Sequence, residues 1–464
     1  MTYKETPGGG KAVVATDIAT APSVRGEIDP ATIEAIVRAN GEPDWFAERR
    51  RQAWEVYKET SMPTTKDEAW RYTDLAKIPW QDLRMRDHQA PRPVARREDV
   101  PPSILAVLPD QGEVAATSIE HNGVGLWREL APELEARGVL FLDLATAIRD
   151  HPELLQTYFM TSAVTPDFGK LAALHGAFVS GGTVIYVPAG VEIELPITSF
   201  RWLDLEGTAV FPHTLLIAGP YSKVTYVEEC ASPACAVVEG LAMNCGVAEI
   251  VAEEGSQVRY SLVQQWGRNV FHYEACRVFA HKDARIQTLL VTLGSKVSRA
   301  DVECDLQGEG AESEMLGVYL GDSTQHFDHH TYQLHAAPHA RSDLLFKGAL
   351  KDRSRSIFRG MIRVMKGAQG TDAYQTNRNL LLSEDAHADS LPNLEIEADD
   401  VRCSHGATIG QQDEGQLFYL MSRGIPRPIA EKLIVEGFFE EVLARIPVEA
   451  LHQRLSAFIA RKLG

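Results

Sequence analysis

Short alternating runs of apolar and polar residues dominate the middle of the chain. From about Gly181 to His405 they follow one another with Gly, Asp, Asn or Lys between them, and the helical period is missing. The runs recur at intervals of roughly 28–35 residues, within the range of solenoid repeats. So long a series of strands without intervening helices is typical of a β-helix or of a large sandwich. The recurring period favours the parallel β-helix.

Helical patterns flank this core on both sides. Apolar residues recur at helical spacing after Asp29 and Pro30, whose types suit an N-cap and a first helical position. Amphipathic helices return after Gly410. The pattern predicts four segments, which are a disordered N-terminal extension at 1–26, a helical or mixed N-terminal domain at 27–180, the β-helix core at 181–410 and a C-terminal helical domain at 411–464.

One predicted strand carries the pair of residues with the clearest chemistry. An alternating run from Leu394 is broken at Asp399 and Asp400, which predict a bend. Beyond the bend, the period of two places Cys403 and His405 on one strand face. Thiolate and imidazole suit iron and iron–sulfur species, and the alternative is a buried cysteine beside a hydrogen-bonded histidine. Two ligands do not complete a coordination sphere, so others would come from elsewhere in the fold or from another chain.

A histidine-rich segment is the second candidate site. On a strand, His326, Asp328 and His330 share a face, so that two imidazoles and a carboxylate could bind one Fe or Zn ion. The alternative is a polar ladder on an exposed face of the sheet. The sequence leaves both interpretations open.

Three amides share another strand face, namely Gln375, Asn377 and Asn379. In a stacked solenoid such residues are expected to satisfy hydrogen bonds of turns or of neighbouring strands. The sequence has no Walker-type glycine loop, no G-x-S-x-G elbow and no G-x-G-x-x-G signature. We therefore expect no self-contained active site and no enzyme activity.

Two amphipathic helices are predicted near the C-terminus. Pro428 suits the start of the first, whose apolar positions include Ile429, Leu433 and Phe438. The second follows Pro447. The apolar face of an amphipathic helix usually packs on its own domain. The alternative is that these helices form a docking surface for a partner protein.

Charge and cysteine usage narrow the class of protein. The formal net charge of −18 argues against binding to nucleic acid or to an anionic membrane. The six cysteines include no Cys-x-x-Cys pair and form no disulfide framework, which favours a reducing compartment. No apolar run reaches the ~18 residues of a membrane helix, and no signal-peptide pattern begins the chain. These features predict a cytoplasmic protein.

Several ordered motifs carry a family resemblance. They are Glu68-Ala-Trp-Arg-Tyr-Thr-Asp-Leu75, Ser354-Arg-Ser-Ile-Phe-Arg-Gly360, Asn377-Arg-Asn-Leu-Leu-Leu-Ser383 and Cys403-Ser-His-Gly-Ala-Thr408. This set closely resembles the SufB/SufD family of iron–sulfur cluster assembly proteins. Within the family, the last motif looks more like the SufD branch, because SufB typically has an acidic residue on each side of the histidine.

The resemblance implies a right-handed parallel β-helix between helical terminal regions, and a SufB–SufC–SufD complex. SufC is an ABC-type ATPase that would dock on the C-terminal helices, here through Ile429, Leu433 and Phe438. Cys403 and His405 would lie at the interface with SufB, where iron enters and a transient cluster forms. The chain alone would hold no permanent cofactor. A reduced flavin is associated with the complex, and no flavin motif is visible in this sequence.

Three further interpretations stay open. The β-helix flank that would pair with SufB could also form a homodimer in isolation. A SufB-like primary scaffold would carry the nascent cluster on this chain itself. A β-helix enzyme such as a polysaccharide lyase is the interpretation from another class. It is disfavoured because such enzymes are usually exported and because the repeats lack a cluster of Lys or Arg with carboxylates.

Overall fold

The computed structural model describes residues 27–85, 93–108, 112–233 and 240–464. The extension predicted at 1–26 lies outside the described residues. The helices are α1 Pro30–Asn40, α2 Asp44–Glu59, α3 Pro102–Leu105, α4 Pro132–Glu135, α5 Leu144–Asp150, α6 Pro152–Tyr158, α7 Lys170–Phe178, α8 Glu414–Ser422, α9 Arg427–Leu443 and α10 Glu449–Leu463. None of the helices in these ranges is both long enough and apolar enough to cross a membrane.

The strands account for more of the chain than the helices do. They are β1 Arg84–Met85, β2 Ala116–His121, β3 Val124–Leu130, β4 Leu140–Asp143, β5 Gly181–Val187, β6 Ile197–Trp202, β7 Thr208–Val210, β8 Pro212–Ala218, β9 Lys223–Ala231, β10 Ala242–Ala252, β11 Gln257–Gln265, β12 Val270–Ala280, β13 Arg285–Thr292, β14 Val297–Leu306, β15 Glu312–Gly321, β16 His326–His335, β17 Arg341–Leu350, β18 Arg355–Val364, β19 Thr371–Leu381, β20 His387–Ile396 and β21 Val401–Gln411.

Two long sheets form the walls of a parallel β-solenoid of about eight turns. From β8 onward, even-numbered strands lie side by side in one sheet, while odd-numbered strands from β9 onward lie side by side in the other. Phe271 pairs with Val297 and Val297 with His326, so these turns advance by 26 and 29 residues. The predicted parallel β-helix is confirmed, and the turn of 26 residues is slightly shorter than the predicted interval of roughly 28–35.

The corners between the two sheets explain the recurring Gly and Asp residues. Asp283, Gly310, His339 and Gly370 occupy successive corners with φ of 55°, 72°, 60° and 73°. Glycine adopts this left-handed conformation without cost, and Asp and His tolerate it better than most residues. Each of these N–H groups donates to the corner of the next turn, as Gly370 does to the Asp400 carbonyl at 2.7 Å. A ladder of backbone hydrogen bonds therefore runs along the corners as well as along the sheets.

The sheets extend into the N-terminal part of the chain. β2 runs parallel to β6 and antiparallel to β3, and β4 runs antiparallel to β5. Residues 171–178 of helix α7 are buried, and the helix packs against α2 and β10. Residue 181 is the first residue of β5, but both sheets already contain strands that precede it, β4 in one and β2 in the other.

The C-terminal helices cover the outer face of one sheet. Helix α9 buries Val435, Phe439 and Val442 in a cluster with apolar residues of the odd-numbered strands. Ile429 and Leu433, by contrast, are 52% and 43% exposed. The predicted apolar face of α9 is thus only partly correct, because the buried positions are rotated around the helix from Ile429 and Leu433.

Helix α10 is fastened to the same sheet through a buried lysine. The Nζ of Lys462 donates to Gln325 Oε1 at 2.9 Å and to the carbonyls of Leu293 and Leu320. Burial lowers the pKa of Lys462 to about 7. The C-terminal helices are therefore anchored on the solenoid by polar as well as apolar contacts.

Candidate functional site

The last turn of the solenoid forms the candidate site. Strands β20 and β21 are the final strands of their sheets, and within the described residues no strand pairs with their outer edges. A bend at Asp399 and Asp400 joins them, as predicted. Cys403 and His405 therefore lie on an edge strand at the open end of the solenoid.

Cys403 is half-buried at this end. It pairs in register with Ala373 of β19 and packs beside a small apolar cluster that includes Ile362 and Val364. Burial raises the pKa of the Cys403 thiol, and the nearby Asp372 carboxylate raises it further. The thiol consequently favours its protonated form until a cation or a change of surroundings stabilises the thiolate.

His405 lies two residues further along the same strand and is exposed. The period of a strand directs its side chain to the same side as that of Cys403, as predicted. No hydrogen bond joins its imidazole to another residue in the described ranges. In the part of the chain that the structure covers, no three Cys, His, Asp or Glu side chains are placed to hold a metal ion. The open end therefore offers two soft or borderline ligands and room for further ligands from outside.

The histidine-rich segment has a different environment. Asp328 is fully buried and accepts hydrogen bonds from Thr73 Oγ1 at 2.5 Å and from Arg299 Nη1 at 3.0 Å. His330 Nε2 lies 3.1 Å from its other oxygen, and His326 Nε2 lies 3.0 Å from Thr73 Oγ1. The three predicted residues do share a region, but protein groups already engage the carboxylate. This geometry resembles a polar ladder, but the face is covered and not exposed as that alternative expected, and metal binding here stays a prediction.

The same contacts hold the N-terminal motif onto the solenoid. The Arg299 guanidinium lies 4.4 Å from the centre of the Trp70 ring, and Trp70 stacks on Tyr273 at 6.3 Å. Arg359 pairs with the Glu68 carboxylate. The segment Glu68–Leu75 is thus an attachment of the N-terminal region to the outer face of the sheet.

Two of the three predicted amides, Asn377 and Asn379, form a buried hydrogen-bond network with Tyr319, and the third, Gln375, bonds to a neighbouring strand. Tyr319 donates its hydroxyl hydrogen to Asn379 Oδ1 at 2.6 Å and accepts from Asn377 Nδ2 at 2.9 Å. Gln375 Nε2 donates to the Asn393 carbonyl at 3.0 Å. The expected role in hydrogen bonding between turns is confirmed.

Sequence reasoning missed three exposed apolar residues of α8. Phe418 is 73% exposed, and Tyr419 and Met421 are also exposed. Together with Ile429 and Leu433 of the adjacent helix α9 they form what we call the C-terminal apolar patch. The sequence does contain a signal for them, the run of large apolar and aromatic residues Leu417–Met421. Five consecutive residues point around the whole helix, so one buried face cannot cover all of them.

A cavity lies at the opposite end of the solenoid. It has a volume of about 750 Å³ and is lined by residues of β2 to β5, among them Trp127 and Phe141. The buried Glu120 borders it and pairs with Arg201 at 3.0 Å, which also pairs with Glu228. No pattern of residue types in the sequence indicated this internal ion cluster.

Comparison with known proteins decides the family. A family model described as SUF system FeS cluster assembly, SufBD core domain, matches residues 200–438, and a model of the SufBD protein N-terminal region matches residues 34–198. The chain belongs to the SufBD family. This SufBD chain is 32% identical to the iron-sulfur cluster assembly protein SufD of Bacillus subtilis (strain 168), over 94% of its own length and 98% of the relative. It is 29% identical to an iron-sulfur cluster assembly SufBD family protein of Staphylococcus epidermidis (strain ATCC 12228), over 93% and 92%.

The buried Asp328–Arg299 pair gives a prediction about the stability of this SufBD protein. Burial alone would raise the pKa of Asp328, but the Arg299 guanidinium holds it well below its usual range. A carboxyl group with a depressed pKa stabilises the fold above its unfolded pKa of ~4, and this contribution is lost as the pH falls below that value. Asp328→Asn should therefore cost about 3–5 kcal/mol at pH 7 in urea unfolding, and should weaken the loss of stability on acidification.

Asp389→Asn is the matched control. Asp389 pairs with Arg355 at 2.7 Å, but this pair is partly exposed to solvent. Such pairs contribute roughly 0–1 kcal/mol. Equal losses in the two variants would contradict the importance of the buried pair.

Proposed function

We propose that this chain is a SufD-type scaffold subunit, without enzyme activity of its own, of a complex that assembles iron–sulfur clusters. The observation that carries the proposal is the pairing of Cys403 and His405 on the unpaired edge strand β21. Thiolate and imidazole are ligands for iron and for iron–sulfur clusters. An unpaired strand edge is also a template for another chain.

The partner at this end would be SufB. The outer edges of β20 and β21 carry exposed apolar residues, including Ile396 at 41% and Ile409 at 45%. A strand of SufB added to these edges would satisfy their backbone groups and cover both side chains. Iron would enter, and a transient cluster would form, where SufB supplies the ligands that Cys403 and His405 lack. In isolation the same edges could form a homodimer.

Chemistry at this interface would begin with a neutral thiol. Because burial raises the pKa of Cys403, binding of ferrous iron would release the thiol proton as the iron–sulfur bond forms. His405 would act as a second ligand or as an acid–base group that accepts this proton. Iron and sulfur are cargo in this proposal, and the cluster leaves the complex for its recipient.

The ATPase partner would be SufC, docked on the C-terminal helices. The C-terminal apolar patch, with Ile429 and Leu433, offers exposed side chains for a hydrophobic groove. Phe438 is half-buried further along α9, and its carbonyl accepts a hydrogen bond from Lys347 Nζ at 2.8 Å. ATP-driven dimerisation of SufC would move these helices and open the interface with SufB.

Contacts on α9 support such a transmission. Glu441 pairs with Lys347 of β17 and with Arg378 of β19 at 3.2 Å. Arg378 in turn pairs in register with Thr408 of β21. A displacement of α9 would therefore act through Arg378 on strand β19, the neighbour of the strand that carries Cys403 and His405.

The SufB-like alternative has less support. A primary scaffold needs a cysteine that receives sulfur, whereas Cys230, Cys245, Cys276 and Cys304 are all buried. Burial raises the pKa of each of these thiols, so that none is poised as a nucleophile. Cys235 lies outside the described residues.

Substitution of the two ligand candidates tests the proposal. When this chain is co-purified with SufB and SufC, Cys403→Ala and His405→Ala should leave the complex intact and should reduce its iron–sulfur cluster at least tenfold, measured by iron and acid-labile sulfide content. The reason is that each change removes one ligand, while His405 is exposed and Cys403→Ala takes only a sulfur atom from the margin of the apolar cluster around Ile362. Ser404→Ala, on the opposite face of the same strand, is the control. Wild-type cluster content in both test variants would contradict the proposal.

Two surface substitutions should separate the two partners. Ile429→Asp places a charge in the C-terminal apolar patch and should abolish co-purification of the ATPase while SufB is retained. Ile409→Asp, at the open end of the solenoid, should have the opposite effect. If either variant loses both partners, or if both variants keep both partners, the two surfaces are assigned wrongly.

A further inference from the structure

The cavity lined by β2 to β5 is large enough for a small molecule. Its volume of about 750 Å³ lies within the range of pockets that bind drug-sized ligands. Its lining includes the apolar residues Phe141, Leu144 and Ile148 and, from β2, the acidic residue Glu120. Glu120 is only 4% exposed. A ligand here would meet an apolar wall and one buried carboxyl group.

The basic residues of the described lining are three arginines, and each already has a carboxylate partner. The pairs are Arg50–Glu42 at 2.6 Å, Arg128–Asp143 at 2.8 Å and Arg149–Asp150 at 2.7 Å. Each guanidinium therefore has its charge balanced by a neighbouring acid, and the arginines give the cavity no excess of positive charge.

Glu120, by contrast, shares its cation with another acid. Arg201 Nε lies 3.0 Å from Glu120 Oε2, and the same guanidinium also pairs with Glu228. A third buried carboxyl group, that of Glu274, lies close enough to interact electrostatically with both Glu228 and Arg201. No ion pair among the described residues joins Glu274 to a second base. Three carboxyl groups thus face one guanidinium inside the first turns of the solenoid.

A buried cluster with this balance takes up positive charge. Burial raises the pKa of Glu120 and, together with the Glu228 carboxylate, that of Glu274, so that protons can supply part of this charge. Of these acids, Glu120 is the one that lines the described part of the cavity. Its Oε1 accepts a hydrogen bond from Thr183 at 3.3 Å, although a carboxylate oxygen can accept two. A cation that enters the cavity therefore reaches Glu120 first.

We propose that this cavity is a binding site for a primary amine with an apolar or aromatic body, whose ammonium group pairs with Glu120. The ammonium group donates to the Glu120 carboxylate and supplies the charge that the cluster lacks, while the body lies against the apolar wall. A carboxylate ligand of the same shape meets like charge, and a neutral ligand gains only the apolar contacts. The site lies at the other end of the solenoid from Cys403 and His405, so the proposal goes beyond the proposed function and does not depend on it.

Three indole probes that differ in their head group test the proposal on the full-length chain. Tryptamine carries an ammonium group, tryptophol a hydroxyl group and indole-3-propionate a carboxylate. Isothermal titration calorimetry at about pH 7.5 should give tryptamine a Kd about tenfold or more below that of tryptophol, because a hydrogen bond to a charged group is the stronger one. Indole-3-propionate should not bind. Equal Kd values for tryptamine and tryptophol, or no saturable binding of tryptamine, would overturn the proposal.

Substitutions in the cluster separate the effect of charge from that of space. Glu120→Gln keeps the shape of the side chain and removes its charge, so tryptamine should bind no better than tryptophol. Glu228→Gln leaves the lining of the cavity unchanged and frees Arg201 to pair with Glu120 alone, so the Kd of tryptamine should rise and that of tryptophol should not. Glu135→Gln, at an exposed position outside the cavity, is the control.

An unchanged Kd of tryptamine in both cluster variants would contradict the proposal. If Glu120→Gln does not fold, Glu228→Gln and the comparison of the three probes on the wild type decide the question. None of these measurements depends on iron–sulfur clusters, so a failure here leaves the proposed function standing, and a failure of cluster assembly leaves the amine site standing.

Discussion

Backbone hydrogen bonding between successive turns is the constraint on which this structure depends. Each strand pairs its N–H and C=O groups with the strands one turn before and after it. At the corners, where the chain passes from one sheet to the other, backbone N–H groups likewise donate to the next turn. At the first turn, antiparallel strands β3 and β4 extend and close the sheets. At the last turn, β20 and β21 have no such neighbour among the described residues. An unpaired edge of this kind is a template on which a strand of another chain can pair.

The chemistry of the open end follows from this position. Cys403 and His405 lie on the edge strand, which a second chain can reach. Cys403 neighbours Ala373 and an aliphatic cluster, whereas the neighbour of His405 in register is the amide residue Gln375. Gln375 and its neighbours belong to strand β19, which α9 contacts through Glu441 and Arg378. Cys403, His405, Gln375 and the contact with α9 therefore lie on two adjacent strands, β19 and β21.

Local patterns in the sequence were sufficient to predict much of this. The strand period of two places Cys403 and His405 on one face. The left-handed backbone of the corners favours Gly and Asp there, so these residue types mark the repeat in the sequence without knowledge of contacts between distant residues. The role of Asp328 was not visible, because its partner Thr73 is 255 residues away along the chain. The exposed side of α9 was also beyond prediction, since apolar residues such as Ile429 and Val435 surround much of the helix and only tertiary packing decides which are buried.

The most direct test of the central claim, that Cys403 and His405 form half of a site, compares the isolated chain with the complex. Both are reconstituted anaerobically with ferrous iron and sulfide, and the bound cluster is measured by ⁵⁷Fe Mössbauer spectroscopy. We expect the isolated chain to hold no cluster beyond that of a Cys403→Ala/His405→Ala double variant, and the complex with SufB and SufC to hold one that this double variant loses. A stable cluster on the isolated wild-type chain, dependent on the same two residues, would contradict the claim.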